Sequence, residues 1–243
     1  MAKINIVFTS KGGVGKTTAC TYIIQKLRAD GKTVHAYDTD PSNATLTAYR
    51  GLDAEHINIM KGDRIDQAKF DHLINNCMSC GEEEYVVIDV GSSNFIELSS
   101  YLHSQGLINV LAAMGQELTL HILVKSGAEQ DDTIVSLDDI MKAFGDTAAK
   151  IIVWLNEYYG KIEYEGKAFE DMKVFKNHKG HIDGIIKIQP PKVADTYGVD
   201  LARMLKEKLT FDEVAASDDW FWLNKKRIAD MKEEIFAAID TVM

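Results

Sequence analysis

The feature that most constrains the fold lies close to the N-terminus. An apolar run, Ile4-Asn5-Ile6-Val7-Phe8-Thr9, reads as a buried parallel strand. The turn Ser10-Lys11-Gly12-Gly13-Val14-Gly15-Lys16-Thr17-Thr18 follows it, and a helix-like segment runs on to about Ala29. Strand, glycine-rich turn and helix in that order make a phosphate cradle. The glycines let successive N–H groups converge on one centre, and the helix N-terminus favours an anion there. Lys16 is placed to reach β- and γ-phosphates, and the Thr17 hydroxyl to ligate Mg²⁺. The strict pattern G-x-x-x-x-G-K-[ST] begins with Gly, and Ser10 stands there instead; Gly12, Gly13 and Gly15 keep the backbone freedom. A second lysine, Lys11, precedes Lys16 by five residues.

Strand and helix signals alternate along the rest of the chain. Thr33 to Asp38, Tyr85 to Asp89, Leu107 to Ala113, Ile151 to Asn156 and Ile185 to Ile188 read as strands; Leu118 to Val124 reads as a strand or the start of a helix. Ile65 to Cys77, Phe95 to Gln105, Asp132 to Phe144, Phe211 to Ala216 and Asn224 to Val242 have helical spacing. This alternation predicts an α/β fold: a doubly wound, mostly parallel sheet with helices on both faces. The 243 residues are expected to form one domain, with helices from about 192 to 243 packed on it. A net charge of −10 argues against a surface that binds nucleic acid throughout. No run approaches the roughly 18 apolar residues of a membrane span. The absence of a signal-peptide pattern and three cysteines, an odd number, point to the cytoplasm.

Ligands of such sheets bind outside the carboxyl ends of the strands. Two acidic signals end predicted strands there. One is Asp38-Thr39-Asp40-Pro41, whose two carboxylates share a face if the strand continues. The other is Asp89, after four apolar residues, in the Walker B arrangement that holds Mg²⁺. Of Asp38 and Asp40, one is read as a further Mg²⁺ group and the other as the group that orients attacking water. A strand-end turn is the plain alternative for both.

With these residues in place, the chain resembles the deviant Walker A ATPases of the MinD/ParA type. The resemblance rests on Lys11 to Thr17, Asp38-Thr39-Asp40-Pro41 and Ile88-Asp89. It implies an ATP-dependent homodimer in which Lys11 reaches the partner's nucleotide, Asp40 orients water, Thr17 and Asp89 serve Mg²⁺, and Gly91 senses the γ-phosphate. A closer resemblance, to the TraL proteins of conjugative plasmids, covers nearly the whole chain. It is carried by Asn43-Ala44-Thr45, Trp154-Leu155-Asn156, Ile162-Glu163, Glu165-Gly166-Lys167 and Leu209-Thr210-Phe211-Asp212. It implies a role in conjugal DNA transfer, with a protein partner in a transfer or partition complex. Ser42 and the turn Val90-Gly91-Ser92 depart from the ParA pattern and put the hydrolysis rate in question.

A guanine-reading N-K-x-D loop fails here, because Arg227 stands in the Asp position after Asn224-Lys225. The resemblance instead implies that Asn156 and the Pro190-Pro191 turn flank adenine. The pair Cys77 and Cys80 is read as ordinary thiols rather than a metal site, for want of further ligands. Lys173, Lys176, Lys179, Lys187 and Lys192, with Asp183 the one acid among them, form a candidate DNA surface; a solvated loop is the favoured reading. The last helix carries Ile228, Met231, Ile235, Ile239 and Val242 on one stripe, but its polar face is acidic. It is expected to pack on the core rather than bind a membrane. Trp220-Phe221-Trp222-Leu223 is read as buried, or as an interface patch. The combined expectation is an ATPase switch using ATP and Mg²⁺. A weakly hydrolysing nucleotide-dependent adaptor and a small-molecule phosphotransferase are the rivals.

Overall fold

The computed structural model describes residues 2–243. Seven strands form its main sheet: β1 (Lys3–Val7), β2 (Val34–Asp38), β3 (Glu55–His56), β4 (Tyr85–Asp89), β5 (Glu117–Lys125), β6 (Lys150–Asn156) and β7 (Gly184–Ile188). Their order is β7-β6-β5-β1-β4-β2-β3, and every neighbouring pair is parallel. The connecting helices are α1 (Lys16–Ala29), α2 (Ala68–Ser79), α3 (Phe95–Ser104), α4 (Leu107–Ala113), α5 (Gln130–Phe144), α6 (Lys173–His178), α7 (Val199–Glu207), α8 (Phe211–Ala216) and α9 (Trp222–Asp240).

The period of two along β1 separates two cores. Ile4, Ile6 and Phe8 pack with Phe70 of α2, Leu98 of α3, Leu111 of α4 and Leu137 of α5. Val7 points to the other face, where Ile23 of α1, Met204 of α7, Val214 of α8 and Ile235 of α9 meet it. Both faces of the sheet are therefore covered, which is why its central strands are mostly apolar. The stripe Ile228, Met231, Ile235 and Ile239 of α9 is buried against α1 and the sheet. No helix among the described residues is long and apolar enough to cross a membrane.

Two sequence readings change. Leu107 to Ala113, expected to be a strand, is α4. Gly106, with φ of 56°, restarts the chain as a helix, and Ile108 and Leu111, three apart, face the core. The strand position beside β1 is filled by β5, which settles the ambiguity of Leu118 to Val124. In the aromatic run only Trp220 is buried; Phe221 and Trp222 are 80% and 71% exposed. A two-residue antiparallel pair, Glu163–Tyr164 with Lys167–Ala168, follows β6. Its turn at Glu165-Gly166 has positive φ at both residues, as a tight hairpin turn requires.

Candidate functional site

Three loops meet at the carboxyl edge around β1: the turn before α1, the segment after β2 and the segment after β4. The first keeps its curl through Gly13 and Gly15, with φ of 70° and 103°. A Cβ at Gly15 would also sit 3.0 Å from the Asn156 amide nitrogen. No side chain caps α1 and no acid occupies its first turn, so its leading N–H groups stay available to an anion. Lys16 is buried, and its ammonium donates to the Lys11 carbonyl at 2.7 Å. Burial pulls its pKa down, while Asp89 and Asp40 pull it back up.

Thr17 donates its hydroxyl proton to Asp89 Oδ2 at 2.6 Å. Burial pushes the Asp89 carboxyl up to about 7, with the Thr17 hydrogen bond opposing and the Asp38 charge adding to the rise. A hydroxyl and a carboxylate side by side are hard oxygen donors, the set that suits Mg²⁺. Asp38 is wholly buried and its two oxygens accept backbone N–H groups, from Asp40 at 3.0 Å and Leu46 at 2.8 Å. It organises the loop that carries Asp40, and burial raises its pKa despite these bonds. Asp40 Oδ1 accepts from the N–H groups of Ser42 and Asn43 at 2.9 and 3.1 Å. Asp40 also lies so close to Gly91 that a Cβ there would fall 2.6 Å from its Cγ. The fold thus assembles Lys16, Thr17, Asp40, Asp89 and Gly91 from three separated stretches of sequence.

A cavity of about 330 Å³ opens beside the turn. Gly13, Val14, Gly15 and Thr18 form one wall, and Trp154, Asn156, Tyr158 and Tyr159 others. It is mostly apolar with a few polar groups at its mouth, the usual character of a small-molecule pocket. Asn156 braces the turn, donating to the Val14 carbonyl at 2.9 Å. Pro190 and Pro191 line a second, smaller cavity instead; Tyr158 borders both.

Lys11 pairs with Asp132 of α5 within its own chain. Two contacts to the turn escaped the sequence reading. Ser136 Oγ accepts from the Ser10 N–H and hydroxyl at 3.2 and 2.9 Å, and Lys125 donates to the Gly13 carbonyl at 3.1 Å. Lys125 ends an apolar strand at the ligand edge, which was a usable signal; nothing in the sequence marks Ser136.

The remaining candidates lie apart from this site. Cys77 is buried in the core, whereas the Cys80 thiol sits with His35 and Glu84, their donor atoms within 4.8 Å of one another. His35 and Glu84 already satisfy each other at 2.9 Å. In the basic segment, Lys176, Lys187 and Lys192 pair with Asp171, Glu170 and Glu234, and Lys173 and Lys179 have no ion-pair partner among the described residues.

Comparison with known proteins agrees with this geometry. The family described as the CobQ/CobB/MinD/ParA nucleotide binding domain matches residues 6–214. The chain is 38% identical over 240 residues to a protein named TraL from Escherichia coli, covering 99% of this chain and 98% of that one. Among solved structures, the cell division ATPase MinD of Pyrococcus furiosus matches with a TM-score of 0.57 at 15% identity over the whole of both chains. A putative plasmid partition protein of Borrelia burgdorferi, bound to AMPPNP, matches with a TM-score of 0.54 at 16% identity, again over both whole chains. The phosphate-cradle geometry and the match over residues 6–214 together place this chain in the CobQ/CobB/MinD/ParA nucleotide-binding family.

Proposed function

We propose that this chain is an ATP-hydrolysing molecular switch that dimerises around its nucleotide. The observation that carries the reading is the contact between Thr17 and Asp89, at 2.6 Å, beside the buried ammonium of Lys16. These groups have the chemistry that a Mg²⁺–triphosphate would need, and the aromatic walls of the adjoining cavity, which would suit a base, support the reading. When bound, Mg²⁺ would neutralise charge on the phosphate oxygens. Lys16 would leave the Lys11 carbonyl to hold the β- and γ-phosphates, Thr17 and Asp89 would hold the metal, and Asp40 would orient water. Gly12, Gly13, Val14, Gly15 and Thr18 supply the cradle, and Asn156 keeps its shape beside adenine. The absence of a guanine-reading N-K-x-D loop favours ATP. Lys11 exchanges Asp132 for the partner copy's nucleotide.

The output is nucleotide-dependent binding of a protein partner. Likeness to TraL over 99% of the chain supports a place in plasmid conjugal transfer. DNA contact through the Lys173–Lys192 region is the less supported route, because its lysines are largely paired. A weakly hydrolysing adaptor is favoured by the Asp40 carboxylate being engaged by two backbone amides. Turnover unaffected by Asp40→Ala would decide for it.

The test is solution mass and phosphate release with ADP, ATP and a non-hydrolysable ATP analogue, for wild type and Lys11→Ala. The expected result is a dimer with ATP or its analogue, weakened by Lys11→Ala. A mass that never changes, or indifference to Lys11, would overturn the dimer; GTP bound as tightly as ATP would overturn the base assignment.

A further inference from the structure

Asn94 is wholly buried, and the reading above gives it no task. It follows Asp89 by five residues and precedes the first turn of α3, yet its side chain does not cap that helix. Instead its Nδ2 donates to the Thr39 carbonyl and to Thr39 Oγ1, each at 3.0 Å. Thr39 in turn donates its N–H and its hydroxyl to the Asp89 carbonyl, also at 3.0 Å each. The residue between Asp38 and Asp40 is therefore gripped by both the end of β4 and the turn that follows it.

The orientation of Asn94 is fixed by chemistry. The Thr39 carbonyl only accepts, so the amide nitrogen must face it. Asn94 Oδ1 then has no donor among the described residues. A buried amide with an unmet acceptor destabilises the fold relative to a satisfied or apolar group. Space filling therefore does not account for an amide here; its donor contacts do.

Those contacts supply what Asp40 lacks. The bonds of Asp40 itself, to Asp38, Ser42 and Asn43, are local and set only the shape of its turn. The strand pairing that sets Asp38 beside Asp89 ends there, so beyond it the position of Asp40 relative to Asp89 depends on the bonds of Thr39. We propose that Asn94 is a positioning residue: through Thr39 it couples the Asp38–Asp40 segment to the Asp89 turn and keeps Asp40 against Gly91. The assignment rests on the hydrolytic reading above, and it makes the two segments move as one when nucleotide binds.

The test compares wild type, Asn94→Ala, Asn94→Asp, Thr39→Val and the Asn94→Ala/Thr39→Val double variant. Thr39→Val keeps the side-chain volume and serves if the Asn94 variants fail to fold. The expected result is a kcat at least tenfold lower in each single variant, with the ATP Kd within threefold of wild type. The double variant should fall no further than the worse single one. With a non-hydrolysable ATP analogue, amide exchange over residues 39–46 should quicken at least tenfold, while exchange in α1 stays as in wild type. A kcat within twofold of wild type together with unchanged exchange would overturn the proposal, and so would a parallel loss of affinity and turnover, which signals general loosening. If wild type itself releases no phosphate, the hydrolytic reading fails, and exchange over residues 39–46 alone decides the coupling: quickened exchange upholds it and unchanged exchange ends it.

Discussion

Asp89 and His121 sit in register with Val7 on opposite sides of β1, both buried, and they titrate in opposite senses. Trp154 Nε1 donates to His121 Nδ1 at 3.0 Å, so the ring is neutral and donates from Nε2 to Asn5 Oδ1, also at 3.0 Å. Burial pushes the His121 pKa down to about 3 and that of Asp89 up to about 7. The Asp89 contribution to stability is fully present below its ordinary value of 3.8 and is lost as pH rises towards 7. The His121 contribution is present above its ordinary value of 6.5 and is lost as pH falls towards 3. Between about pH 4 and 6.5 the two slopes offset, so these residues leave wild type nearly flat. Asp89→Asn removes one of them. Its stability to urea should then rise with pH across that window, by up to about 1.4 kcal/mol per unit. A flat profile in the variant would contradict the assignment. The residues of this site differ in how visible they are in the sequence. Lys16, Thr17 and Asp89 are legible because chemistry fixes their spacing from a strand end. Ser136 and Asn94 act through bonds to residues far along the chain, and no local pattern records such pairings; Lys125 carries one local mark, its place at the end of an apolar strand.

At the scale of elements, periodicity succeeds where an element presents one face or carries a clear start signal, as the short α8 does with its Thr210–Glu213 capping box, and fails where a short apolar run fits both periods. α1 and α5 are long enough to show their spacing. α4 is seven residues of mixed β-branched and apolar character, and only the left-handed Gly106 distinguishes it from a strand. α9 was legible as amphipathic, but what fixes it was not. Asp200 of α7 is buried and accepts from Arg227 at 2.5 Å and from Asn224 at 2.7 Å, both on α9. At the far end Lys26 of α1 reaches Asp240 at 2.7 Å. The internal pair should matter more, because removing one partner leaves the other charge poorly solvated. Asp200→Ala is expected to lower unfolding free energy by about 3 kcal/mol in denaturant titration. Asp240→Ala should cost less than about 1 kcal/mol, because Asp240 is exposed and Asp30 still pairs the buried Lys26. Equally small costs would mean that α9 is held by its apolar stripe alone.

For the whole molecule, the question is what a second copy must overcome to share the site. Each copy carries a net charge of −10, so two copies repel at low salt. Each also holds Lys11 against its own Asp132, with both side chains well exposed. Lys11 can serve a neighbouring nucleotide only after leaving that carboxylate. Water screens an exposed pair of this kind, so the contact is a weak latch and not a lock. Asp132→Asn should therefore tighten ATP-dependent dimerisation by roughly several-fold, because each dimer releases two such contacts. Lys11→Ala should weaken it, because the cation itself is lost. Sedimentation equilibrium with a non-hydrolysable ATP analogue reads both effects. Added salt should tighten the wild-type dimer by screening the net charge and loosening the latch together. In Asp132→Asn the salt effect should shrink to the net-charge part. A dimer weakened by Asp132→Asn would mean that Asp132 faces the partner and that the Lys11 contact is no restraint.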